Sequence, residues 1–264
     1  MNYFNKDYSI YESFQTRSRL VATRGRVPSW KRALDISCVL VTSIVWVPLW
    51  LMIAMFIKIA SPGPILFKQE RIGRMGKPFR CLKFRTMSFN ADTGVHQKHL
   101  HQLMTSKQPM KKLDGIGDTR LIPGGLWLRA LGVDELPQLI NVLRGEMSVV
   151  GPRPWVPYEY EMDQARHRQR CETLPGLTGL WQVNGKNRTT FERMMELDLT
   201  YVEKKSLFLD LKIIVCTVPA ILVQVWDLRV ARKTAALATE QRTELRSVSE
   251  PMMVSTTIPH METT

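Results

Sequence analysis

The sequence predicts an α-rich α+β protein built as a monotopic membrane domain, with a re-entrant helical hairpin, a small β-hairpin and amphipathic helices at the interface. Three observations carry that expectation. Ile36 to Ile57 runs for about 22 residues without a charge, long enough to cross hydrocarbon as a helix. Pro48 lies near its middle, and basic residues flank both ends, Lys31 and Arg32 before it, Lys58, Lys68, Arg71 and Arg74 after it. Proline removes a backbone donor and bends or breaks a helix, and basic flanks stay on the cytoplasmic side, so both ends obey the rule only if the segment turns back. Length alone also allows a single straight span. The third observation is a pair of short β-type runs, Ile65 to Phe67 and Phe79 to Phe84, joined through Gly-Arg-Met-Gly-Lys.

With 264 residues, 44% of them hydrophobic, the chain has material for one sizeable domain plus tails. The net charge of +13 suits an anionic partner, whether nucleic acid, an anionic leaflet or a phosphorylated substrate, without choosing among them. Cys38, Cys81, Cys171 and Cys216 are scattered, which speaks against a zinc or redox centre and for a reducing, cytosol-facing location. Met1 to Pro28 is polar and has no signal-peptide core. The expected division is a basic flexible arm over 1–29, the re-entrant membrane helix over 30–60, a cytoplasmic domain with interface helices over 61–229, and a flexible tail over 230–264.

In chain order, Arg17, Arg19, Arg24 and Arg26 make the arm basic, and Ser61-Pro-Gly-Pro64 stops the membrane element. The hairpin then holds Lys68, Arg71, Lys83 and Arg85 near the lipid surface, where attraction to anionic headgroups accounts for them as well as substrate contact does. His96, His99 and His101 lack a Cys or carboxylate framework and read as a solvated helix. Tyr158 to Glu172 reads as a charged helical stretch whose Arg166, Arg168 and Arg170 face lipid phosphates or water. After the turn-rich Pro175 to Gly179, the stretch Trp181 to Arg188 offers Lys186, Asn187 and Arg188 as donors beside a glycine. Trp181 suits either a stacked base or the core. Phe191 to Val202 has amphipathic helical spacing, and Leu211 to Trp226, apolar but short and holding Pro219, reads as a helix in the interface plane.

Between Leu128 and Pro154 two adjacent carboxylates, Asp134 and Glu135, stand between two arginines. Leu136, Leu139, Ile140 and Leu143 recur with helical period, so a helix begins just after the acidic pair, with Pro137 in its first turn. Acids in that place ordinarily cap the helix and complement its dipole. A cap needs no arginines, however, and here Arg129 precedes the pair by five positions while Arg153 is held in Gly-Pro-Arg-Pro. Planar donors fixed beside carboxylates suit a phosphate ligand with a carboxylate-held metal.

The segments SPGPILFKQERIGRMGKPFRCLKFRTM, DELPQ, GEMSVVGPRP, PGLTGLWQVNGKN and LDLTYV, in this order between about Lys31 and Val225, resemble the monotopic phosphoglycosyl transferases, bacterial sugar transferases that start polysaccharide assembly. Val47 stands where that family has a serine before the bend proline, and Pro123 and Gly132 stand where many relatives have Arg and Ser. The resemblance implies transfer of a sugar 1-phosphate from a UDP-sugar to polyprenyl phosphate at the cytoplasmic face of the inner membrane. It makes Asp134 the nucleophile and Glu135 the ligand of Mg2+, although the residues themselves do not choose between the two acids. Arg129 and Arg153 would grip phosphates, with Lys186 and Arg188 as further substrate contacts. Expected partners are the UDP-sugar, polyprenyl phosphate, inner-membrane lipid, a second copy of the chain as a homodimer, and other polysaccharide-assembly enzymes, with no nucleic acid. The rival reading is a non-catalytic, membrane-anchored basic scaffold for nucleic acid or anionic lipid, which charge and anchor fit equally well.

Overall fold

A computed structural model describes residues 27–88, 102, 109–110, 120–162 and 168–249. Most of the N-terminal arm and the three grouped histidines therefore lie outside the described residues. The first element, α1 (Ser29–Ala60), is a 32-residue helix that carries Pro48 inside it without a break in helical assignment. The hairpin expected here is thus not seen as two helices. One proline deletes a single backbone bond, which a long helix absorbs by bending. One face of α1 packs inward through Val39, Ile53, Ala54 and Ile57, while Leu40, Val41, Ile44, Leu51, Met55 and Ile59 remain exposed. So continuous an apolar strip marks a surface made for something other than water.

Both ends of α1 are tied down. At the start, Lys31 and Asp35, one turn apart on the same face, are buried. Asp35 Oδ1 accepts from Ser148 Oγ and Val149 N, each at 2.8 Å. Lys31 Nζ donates to Val150 O at 2.8 Å, Tyr201 Oη at 2.9 Å and Asp210 Oδ2 at 2.6 Å. At the far end Ile57 packs with Phe84 and Ile122, and Arg85 donates to the carbonyls of Ser61 and Pro62 at 2.9 and 2.8 Å.

Strands β1 (Leu66–Ile72) and β2 (Pro78–Phe84) form the expected antiparallel hairpin, with Gly73 to Lys77 as the connection. β1 is longer than its apolar run suggested, because its charged residues also pair with β2. Two of the hairpin cations were misplaced at the lipid surface: Arg71 and Arg85 are buried and spend their donors on protein carbonyls and on Gln69. The registers Gln69↔Cys81 and Phe67↔Lys83 put Gln69, Cys81 and Lys83 on one face of the ribbon.

Next come α2 (Gly125–Leu131), a 3-10 turn at Val133–Glu135, and α3 (Gln138–Arg144). The inward side of α3 is Gln138, Leu139, Asn141 and Val142, and Leu143 points outward, unlike the Leu/Ile face that periodicity suggested. Asn141 is the reason. Its side chain accepts from Leu82 N at 3.0 Å and donates to Arg80 O at 2.9 Å, completing the open edge of β2. Arg32 of α1 caps the same helix through the carbonyls of Val142 and Leu143.

Strand β3 (Ser148–Val150), α4 (Pro157–Met162) and β4 (Gly176–Thr178) follow, with β3 and β4 parallel. Gly151 and Gly176 touch backbone to backbone, and a Cβ on either would collide with the other strand's main chain. The glycines of the Gly-Pro-Arg-Pro and Pro-Gly-Leu-Thr-Gly segments are therefore needed for close approach.

After α5 (Leu180–Val183) and a 3-10 turn at Lys186–Arg188, α6 (Phe191–Lys204) is the expected amphipathic helix, capped by Thr190 on Arg193 N. The last element, α7 (Leu207–Ser249), corrects the expectation of a short apolar segment: it is 43 residues long and carries Pro219 within it. Its stretch Leu207–Val230 is, like α1, long and apolar enough to cross a membrane by length and composition. Asp210, in its first turn, is buried as the partner of Lys31. Contacts divide the chain into Met1–Val225, which holds every element up to the first part of α7, and Trp226–Thr264, whose described part is helical.

Candidate active site

The acidic pair occupies the 3-10 turn between α2 and α3. Gly132 ends α2 at φ 70°, and its N–H bonds back to α2 carbonyls, so the chain reverses direction just before Asp134. A side chain at position 132 would meet open space but strained backbone, which explains a glycine there. Pro137, at the N-cap of α3, makes no side-chain cap. Asp134 is buried, 8% exposed. Glu135 is about a third exposed and pairs with Lys83, Nζ to Oε1 at 2.9 Å. Lys83, for which the sequence leaves lipid attraction and substrate contact equally open, thus stands beside the acidic turn. The alternation of Cys81 and Lys83 along β2 was the available signal.

Cys81 is buried two residues before Lys83 on the same strand. Burial pushes its thiol up, while the charges of Lys83, Arg71 and Arg153 pull it down and Glu135 adds to the rise. Four charged groups, from β1, β2, the acidic turn and the Gly-Pro-Arg-Pro loop, are thus within electrostatic reach of the Cys81 thiol. Arg153, on the Gly-Pro-Arg-Pro loop, is one of these groups. Its guanidinium bonds Glu159 Oε1 at 2.9 Å, a buried partner that sequence did not disclose. Burial opposes ionisation of Glu159, but Arg153, Arg71 and the Val156 N–H together hold its carboxyl below the usual carboxylate range.

Arg129, half-buried, sits in the last turn of α2, and its carbonyl accepts from Gln224 at 3.2 Å. Lys186 and Arg188 occupy the turn after Gly185, where Lys186 itself has φ 39°. A positive φ at a lysine is strained. Contacts join this turn to Trp181, whose Nε1 donates to Thr189 Oγ1 at 2.9 Å while Thr189 Oγ1 donates to Lys186 O at 2.7 Å. Trp181 is buried with Trp155, so it is core and not a stacking surface. Lys186 and Arg188 thus belong to the side of the domain that carries Trp155. Arg170, expected at lipid or water, is buried over the Trp155 ring at 3.9 Å.

No group of three or more His, Cys, Asp or Glu able to hold a metal ion occurs among the described residues. Magnesium is commonly held by one or two carboxylates together with substrate phosphates. Glu135, a partly exposed carboxylate, is of the chemical type that holds such an ion.

A buried carboxylate beside one ion-paired to Lys83, carried on a domain with two long apolar helices, is the outline of a membrane-associated phosphoryl-transfer site. The family model for bacterial sugar transferases matches residues 27–224, and the chain belongs to that family. It is 38% identical over 193 residues to the exopolysaccharide production protein ExoY of Rhizobium meliloti, covering 72% of this chain and 84% of that protein. It is 40% identical over 200 residues to a UDP-glucose:undecaprenyl-phosphate glucose-1-phosphate transferase of Caulobacter vibrioides, covering 73% and 69%. The undecaprenyl-phosphate galactose phosphotransferase of Salmonella typhimurium is 35% identical over 193 residues, 73% of this chain but 40% of that protein.

Proposed function

We propose that this chain transfers a sugar 1-phosphate from a UDP-sugar to polyprenyl phosphate at the cytoplasmic face of the inner membrane, as a first step of polysaccharide assembly. The observation that carries the reading is the Asp134–Glu135–Lys83 cluster, with Arg153 within electrostatic reach of Glu135. Relatives named as undecaprenyl-phosphate sugar phosphotransferases support the reaction class.

In this reading an Asp134 carboxylate oxygen attacks the sugar-linked phosphorus. The bond to the bridging oxygen breaks, and its electron pair leaves on uridine monophosphate. An oxygen of polyprenyl phosphate then attacks the acyl phosphate, forming the diphosphate linkage and returning Asp134 to a carboxylate. Two displacements replace one difficult step. Lys83 and Arg153 neutralise charge gathering on the phosphate oxygens, and Glu135, with the donor diphosphate, would hold a magnesium ion that adds further neutralisation.

We propose also that α1 is re-entrant. A straight helix of 32 residues would be about 48 Å long, yet Lys31 at one end and Ile57 at the other are both buried in the unit that runs to Val225. Polar contacts at both ends favour one membrane face for both. The scaffold reading leaves the Lys83–Glu135 pair and the family relationship without a role.

The test is release of uridine monophosphate from a panel of UDP-sugars with magnesium and polyprenyl phosphate. Turnover of one sugar well above the rest is expected. No release with any of them, together with salt-sensitive binding of nucleic acid, would return the chain to the scaffold reading.

A further inference from the structure

A second concentration of buried charge surrounds the main chain of Arg153. Arg170, 2% exposed, lies over the ring of Trp155 and donates Nη2 to Arg153 O at 2.8 Å. Asp198, fully buried on α6, pairs with the same guanidinium and faces the Arg153 main-chain amide. Arg71 donates Nη1 to the next carbonyl, that of Pro154, at 3.0 Å. Pro152 and Pro154 have no N–H, so the polar handles on this tripeptide are the Arg153 amide and three carbonyls, of which that of Pro152 accepts from Gly176 N at 2.8 Å. The carbonyls of Arg153 and Pro154 are each held by a buried guanidinium, and Asp198 lies on the Arg170 guanidinium and towards the Arg153 amide.

Stability does not explain such an arrangement. Burying ion pairs is costly, and apolar side chains of similar size usually stabilise a core as well or better. What charged groups add is direction. A guanidinium stacked on an indole, with an aspartate across it, fixes where the loop backbone runs far more narrowly than apolar packing does. The functional side chain on that backbone is Arg153.

We propose that Arg170 and Asp198 are positioning residues, which clamp the Arg153 backbone so that its guanidinium meets the donor diphosphate at a fixed place. This rests on the reading above in which Arg153 contacts the UDP-sugar. Misplacing a phosphate-binding group by about 1 Å costs on the order of 100-fold in rate, so a clamp on the backbone is as consequential as the guanidinium itself.

The test is a double-mutant cycle on the full chain in lipid nanodiscs. Arg170→Lys is made in the wild type and in Arg153→Ala. Uridine monophosphate release is measured with donor and polyprenyl phosphate varied separately, and thermal unfolding is followed in parallel. Arg170→Lys should lower kcat/KM for the UDP-sugar by about 10-fold or more and leave the KM for polyprenyl phosphate and the unfolding midpoint nearly unchanged. In the Arg153→Ala background the same change should have an effect under about 2-fold, because the residue it positions is gone. If Arg170→Lys does not fold, Asp198→Asn carries the cycle, since the amide keeps size and an acceptor for the Arg153 N–H. An equal factor in both backgrounds, or a parallel loss of both KM values and of stability, would overturn the proposal. Arg153→Ala with wild-type donor kinetics would instead refute the reading of Arg153 as a donor contact, and the clamp with it.

Discussion

Lys83 Nζ stands 2.9 Å from Glu135 Oε1, so an ion pair joins the second strand of the hairpin to the acidic turn. Both partners are partly exposed, and a pair of that kind contributes about 1 kcal/mol or less to stability. Removing Lys83 should therefore separate folding from function. Lys83→Met is expected to shift the unfolding midpoint by a few degrees at most while lowering kcat/KM by about 100-fold, the scale of losing one charge-stabilising group. Lys83→Arg should recover part of the activity. Equal loss of activity and of folded protein would reduce Lys83 to a structural role.

The pair formed by Lys31 and Asp210 behaves in the opposite way. Their side chains are 1% and 0% exposed. Lys31→Met leaves a buried carboxylate without its cation and should cost about 3–5 kcal/mol in a reversible denaturation. Lys31→Met combined with Asp210→Leu should be more stable than Lys31→Met alone, because the orphaned charge is removed with its partner.

Glu159 gives a pH dependence. Its folded carboxyl is depressed below the ordinary value of 4.5, so it contributes stability that is present above that value and lost as pH falls towards the folded one. Wild-type stability should therefore decline below about pH 4.5, more steeply than that of Glu159→Gln. Parallel stability curves for the two proteins below that pH would remove Glu159 from the acid response.

The topology of α1 is open to direct labelling. In a background without Cys38, Cys81, Cys171 and Cys216, cysteines placed at Ser29 and Ala60 should both be shielded from an impermeant reagent in intact cells. Labelling at one end only would establish a span. Pro48→Leu restores the missing backbone donor and should move the population towards that span.

How much of this was legible beforehand depended on which interactions decide each element. Local ones were readable: the apolar run of α1, the Gly-Arg-Met-Gly-Lys turn, the amphipathic period of α6 and the acidic turn before Pro137. The failures share a cause. Arg71, Arg85 and Arg170 look like surface cations in sequence, and each is buried because its partner lies far along the chain, at Pro154, Ser61 or Asp198. Asn141 interrupts the apolar face of α3 because its amide completes a strand about 60 residues earlier. In Lys31 and Asp35 the signal was present, two opposite charges one turn apart at the mouth of an apolar helix, but their partners at Ser148 and Asp210 were not.

The proposed reaction passes through a covalent intermediate on Asp134. Asp134→Asn and Glu135→Gln should both nearly abolish turnover, and raised magnesium should partly rescue only the second, whose amide is a weaker metal ligand. The most direct measurement uses wild-type protein incubated with a UDP-sugar labelled at the sugar-linked phosphate, without polyprenyl phosphate. The account predicts acid-stable, hydroxylamine-sensitive label on the peptide that contains Asp134, discharged when the lipid is added. Unlabelled protein, or near-normal turnover by Asp134→Asn with deamidation excluded by mass spectrometry, would contradict it.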